Sequence, residues 1–111
     1  MDEAEAILLL TTAPTDEVAR QIGTVALERQ LAACVTTVPG ARSRYWWEGK
    51  IEESDELLLV LKTTPQAAAA LREVIAEAHP YEVPELLEIP ATGGSPDYLG
   101  WLQQQVSSPE V

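Results

Sequence analysis

Eight prolines and six glycines cut this chain into short segments of alternating character, and that punctuation limits its fold more than any other feature. Residues 6–10 form a continuous apolar run, the pattern of a strand covered on both faces, and Pro14 closes it. Thr15, Asp16 and Glu17 then supply a helix cap with acids in the first turn. Val18, Ile22, Val25 and Ala26 recur at helical spacing, which predicts a helix running to about Gln30. Residues 33–38 are β-prone and meet Pro39 and Gly40; residues 42–47 are β-prone again, and Glu48 and Gly49 mark a tight turn. The pattern predicts one long strand kinked at Pro39 and Gly40, entering a hairpin whose return arm starts at Lys50 and ends in residues 57–61. A proline within a strand belongs at an edge or a bulge.

The second half repeats the theme. Thr64 and Pro65 predict a helix start, Ala68, Leu71, Ile75 and Ala78 its buried face, and His79-Pro80 its stop. Residues 83–89 predict a shorter, weaker strand between Pro84 and Pro90. Ser95, Pro96 and Asp97 open a third helix that turns Tyr98, Trp101 and Leu102 toward the body, before a polar tail from Ser107.

The order is thus β-α-β-β-α-β plus a C-terminal helix, an α+β pattern. Two βαβ-like halves joined by a hairpin describe a ferredoxin-like sandwich, a single domain over residues 1–111. Its antiparallel sheet carries two helices on one face. The third helix is too small to cover the other, so an oligomer is the expected cover.

Composition narrows the partners. The formal charge of −11 argues against nucleic acid and against an anionic membrane surface, both of which call for Lys and Arg. Hydrophobic residues make up 46% of the chain, so the acidity does not mean disorder. Cations, small molecules and protein partners remain. The acidic start Met1-Asp2-Glu3-Ala4-Glu5 lacks the positive charge of a signal peptide, and the apolar runs are too short to cross a bilayer. The expected location is the cytoplasm.

The densest feature is Tyr45-Trp46-Trp47-Glu48-Gly49-Lys50. Its aromatics fit cross-strand pairing on a hairpin, or an interface anchor and ligand platform. Adjacent strand residues point to opposite faces, so Trp46 and Trp47 cannot both enter one core, and the second faces solvent or, as favoured here, a partner. Cys34, the only cysteine, reads as a small structural hydrophobe without local positive charge. His79, the only histidine, sits where it would cap the last helical carbonyls; as a metal ligand it needs partners such as Glu82, Glu85 or a second subunit. The acids of residues 52–56 lack the spacing of a calcium loop and read as a solvated strand start. Gly93 and Gly94 before Ser95 and Pro96 read as a turn with a cap rather than an anion site. No serine is flanked as in a nucleophile elbow, and nothing in the chain supports an enzyme.

Taken together, these motifs resemble the CutA family, the divalent-cation-tolerance proteins. The resemblance runs from about Ile7 to Leu102. It is carried by Leu31-Ala32-Ala33-Cys34-Val35, Pro39-Gly40 with Ser43, Tyr45 to Glu52, Leu61-Lys62-Thr63, His79-Pro80-Tyr81-Glu82-Val83-Pro84-Glu85, and Gly94 with Tyr98-Leu99 and Trp101-Leu102. It implies a fold similar to the PII signalling proteins and a homotrimer whose long strands pair between subunits. It also implies a part in the response to divalent metals such as copper, with no required cofactor. In metal-binding members the ligands include a cysteine at the end of the first strand and paired histidines before Pro-Tyr. Those positions here hold Thr11 and Ala78, and only His79 matches. What remains is weaker binding through His79 with carboxylates such as Glu82. The alternative is a PII-like signalling trimer that binds a small molecule in intersubunit clefts, with Tyr45, Trp47, Glu48, Lys50 and Tyr81 as the candidate lining.

Overall fold

The computed structural model describes residues 5–107; the acidic start before Glu5 and the tail beyond Ser107 lie outside the described residues. The first apolar run continues past its leucines, so strand β1 spans Ala6–Ala13 and stops at Pro14. Helix α1, Asp16–Glu28, starts where Thr15 accepts the Val18 amide at 3.1 Å. Strand β2, Cys34–Trp47, is the long kinked strand, and β3, Lys50–Thr63, returns beside it.

Helix α2 covers Ala68–Ala78, later than Thr64 and Pro65 led one to expect. Thr64 instead caps a turn, its hydroxyl accepting the Ala67 amide at 3.3 Å, and the helix begins after that turn. Strand β4, Leu87–Ala91, also begins later than expected and runs through Pro90. It lies at the sheet's outer edge, where a proline leaves no ladder donor missing. Helix α3, Pro96–Gln105, is capped by Ser95, which accepts the Tyr98 amide at 3.3 Å. Leu99 and Leu102 are its buried residues, while Tyr98 and Trp101, expected to face the body, stand half out and lean on each other with ring centroids 5.6 Å apart.

The strands order β2-β3-β1-β4, all antiparallel, which is the ferredoxin-like arrangement. Helices α1 and α2 lie on one face. There Leu9, Leu59 and Leu61 from the sheet meet Ile22 and Ala26 of α1 and Leu71 and Ile75 of α2, all fully buried. Burying a side chain of this size contributes about 1.5–3 kcal/mol. Thr63 donates its hydroxyl to the Leu31 carbonyl at 2.6 Å and ties the α1–β2 connection to the sheet.

On the opposite face, Leu99 and Leu102 of α3 pack on Ala6 at one end, with Ala33 and Ala91 beside them. Away from α3, Leu8, Leu10 and Val60 are half-buried and Val38, Leu87 and Ile89 are exposed. Within one copy the first strand is therefore covered on both faces only along part of its length.

Candidate functional site

The site is built on the outer half of the β2–β3 hairpin, and one extra residue decides its chemistry. Val38 lies opposite Leu58 and Ala41 opposite Glu56, so three steps on β2 match two on β3. The bulge sits at Pro39 and Gly40, with Gly40 in the left-handed region at φ 79°. Without it, Tyr45 and Trp47 would point to the helix side. With it, Ser43, Tyr45 and Trp47 face the same side as Glu56, and Arg42 and Arg44 take the other.

The hairpin closes at Glu48 and Gly49, with φ 50° and 79°, the two left-handed residues of a tight antiparallel turn. Trp46 and Trp47 do point to opposite faces, and neither enters a core: they are 73% and 50% exposed. On the arginine side, Arg42 meets Asp55 at 3.2 Å and Arg44 meets Glu53 at 3.4 Å. These pairs are solvent-exposed and contribute little to stability.

His79 brings the second wall of the site into place. Strand β1 continues beyond its last pair with β4, Leu10 with Leu87, so Thr12 has no partner on that side. His79 fills the gap. Its Nδ1 accepts the Tyr81 amide at 3.1 Å, so its Nε2 carries the proton and donates to the Thr12 carbonyl at 2.6 Å. The ring is buried and lies 4.7 Å from the Tyr81 ring, which directs the Tyr81 hydroxyl to donate to Glu56 Oε2 at 3.0 Å. Partial burial first, and then this bond to a carboxylate, push the Tyr81 phenol up to about 12.

This arrangement corrects the expectations for His79. Its backbone amide, not its ring, serves the helix end by bonding the Ile75 carbonyl at 2.9 Å. Both ring nitrogens are engaged by backbone groups, which leaves no lone pair for a metal. In the fold as it stands His79 is a structural residue rather than a ligand.

Thr12, Ser43, Tyr45, Trp47, Glu56, Tyr81, Glu82, Val83 and Glu85, with Arg44 at the edge, line a groove of about 550 Å³. Of the candidate site residues singled out from the sequence, the groove gathers Tyr45, Trp47, Tyr81, Glu82 and Glu85. Glu48 and Lys50 sit at the hairpin turn outside its lining. Glu56 was passed over as part of a solvated acidic start, yet it is only 6% exposed. The unbroken apolar run of residues 57–61 gives no alternation from which its burial could be read.

Cys34 is half-buried, and the positive charge absent from its own segment arrives across the ladder. Lys62 is its partner in register, with Nζ 3.6 Å from the sulfur. Thr11 is fully buried, and its hydroxyl has no hydrogen-bond partner among the described residues. No group of three His, Cys, Asp or Glu side chains among the described residues is placed to hold a metal ion.

No helix among the described residues is long and apolar enough to cross a membrane. The CutA1 divalent ion tolerance protein family matches residues 7–105. The chain is 46% identical over 98 residues to the divalent-cation tolerance protein CutA of Pectobacterium atrosepticum, covering 88% of this chain and 89% of that protein. A solved structure of the divalent cation tolerance protein from Thermus thermophilus superposes with a TM-score of 0.90 at 43% identity, over 92% of this chain and 99% of that one. A second, described as the periplasmic divalent cation tolerance protein CutA from Archaeoglobus fulgidus, has a TM-score of 0.89 at 35% identity, over 92% of this chain and 99% of its own. With sequence, strand order and hairpin all in agreement, this chain belongs to the CutA family of divalent-cation-tolerance proteins.

Proposed function

We propose that this chain acts in the response to divalent metal ions such as copper by binding rather than by catalysis, as a cytoplasmic homotrimer. Membership of the divalent-cation-tolerance family along almost the whole chain carries this reading. The trimer is supported by what one copy leaves uncovered: Trp46, Trp47 and Ile51 at the hairpin tip, and Val38, Leu87 and Ile89 on the sheet. Because one chain offers no three-ligand cluster among its described residues, a metal ion is met by carboxylates from more than one copy, Glu82 among them. Each added copy brings a further charge of −11, which gathers cations around the assembly.

Calorimetric titration of the assembled protein with Cu²⁺, comparing wild type with Glu82→Gln, tests the binding claim. Saturable heat that weakens in the variant is expected. Absence of saturable heat, or identical isotherms, would overturn it. Fractionation of the source cells tests the location, and recovery with the periplasmic fraction, in keeping with the Archaeoglobus relative's description, would overturn that part.

A further inference from the structure

We propose that helix α3 is a hinged flap, clasped shut by Val106 and Ser107 on the end of α1, and that it opens as a unit while the main core stays folded. Every contact behind this inference is made within one copy, and it stands without the metal reading.

The first observation is how little α3 shares with the rest of the fold. Its buried residues, Leu99 and Leu102, form a small cluster with Ala6, apart from the main core of sheet, α1 and α2. A helix of 10 residues does not stand alone in water, so its order depends on those few contacts. Segments that bury little apolar surface open at a lower free energy than the whole molecule. Ahead of the helix, Gly93 and Gly94 join β4 to the Ser95 cap. A side-chain carbon on Gly93 would meet no atom within 4 Å, so the chain can turn there without displacing a neighbour.

The second observation is the fastening at the other end. Val106 packs against both the main core and the α3 cluster. Ser107 then donates twice to Gln30, its amide to the carbonyl and its hydroxyl to Oε1, each at 2.8 Å. Gln30 is where α1 closes: its amide bonds the Leu27 carbonyl at 3.0 Å, and the Leu31 amide bonds the Ala26 carbonyl at 2.9 Å. In that paired closure the left-handed residue is usually glycine. Gln30 takes φ 57° despite its side chain, and that side chain is what Ser107 holds. A glycine would fit the corner with less strain but could not carry the side-chain bond. Thr63 anchors the same corner to the sheet through the Leu31 carbonyl, so the clasp fastens α3 to the main core.

The test is amide hydrogen exchange on the full-length protein in its native assembly, read residue by residue by NMR. In the wild type the amides of residues 99–105 are expected to exchange as one set, roughly ten-fold or more faster than those of residues 71–75 in α2. Ser107→Ala removes the hydroxyl donor and is expected to quicken the α3 set by roughly two- to ten-fold, with α2 unchanged. Gln30→Gly relaxes the left-handed corner while removing the same acceptor, so α3 is expected to quicken by a similar factor without α2. Exchange of α3 at the rate of α2 in the wild type would overturn the flap. An α3 rate unmoved by both substitutions, or α2 quickening in step with α3, would overturn the clasp.

Discussion

The two halves of the β2–β3 hairpin share one pair of strands yet live under different rules. In the inner half, Val35 pairs with Leu61 and Thr37 with Leu59, and two helices cover that side. Order there comes from burial. Past the bulge, Arg42 to Trp47 run beside residues 50–55 with no helix over either face, and order comes from the ladder, the turn and exposed ion pairs. The inner half is what holds one copy together. The outer half carries aromatic side chains and acids that nothing described within the copy covers, so its occupants must come from outside it.

Substitutions can break or sharpen this contrast. Leu61→Ala, in the fully buried inner half, is expected to cost about 2–5 kcal/mol in denaturant unfolding. Trp46→Ala, 73% exposed in the outer half, is expected to leave far-ultraviolet circular dichroism unchanged and to weaken association of copies instead. If both cost the same in a dissociated subunit, the contrast is false.

His79→Ala strips the Thr12 carbonyl and the Tyr81 amide of their shared partner, and a loss of about 2–3 kcal/mol is expected. A loss confined to copper binding, with stability intact, would show that the ring serves a metal instead. Gly40→Ala meets no atom within 4 Å, so its cost is the left-handed backbone alone, about 1–2 kcal/mol. A larger loss would mean that the bulge also governs the register of the outer half.

The smallest effect is read by pH. The folded state holds the Tyr81 proton more tightly than the unfolded chain, so its contribution to stability is complete below pH 10 and is lost as pH rises toward about 12. Ultraviolet titration of the phenols should show a step displaced toward about 12, and Tyr81→Phe should remove it. A variant that keeps the late step would place it elsewhere.

Much of the inner half was legible in the sequence, because burial writes itself as periodicity. Thr15 and Ser95 announced their helices, and the leucines of β1 and β3 announced the core. The bulge was visible in Pro39 and Gly40 as well, but its consequence was not. Which face Tyr45 and Trp47 share with Glu56 depends on a register that only the paired strand reveals. Cys34 and Lys62 are 28 positions apart and adjacent across the ladder, so no reading of local charge could join them. His79 misled for the same reason. A helix-end histidine looks like a cap or a ligand until the unpaired Thr12 carbonyl, 67 positions away, is seen to claim its ring. The late starts of α2 and β4 are of another kind, since Thr64 and Pro84 are true local signals that a turn and a loop absorb.

The central claim is that copies of this chain cover what one copy leaves bare. Light scattering coupled to size exclusion, on the full-length protein at micromolar concentration, measures this directly. The expected mass is three times that of the 12.1 kDa chain. A stable species at 12.1 kDa would contradict it, leaving the exposed tryptophans and the open sheet face without a cover.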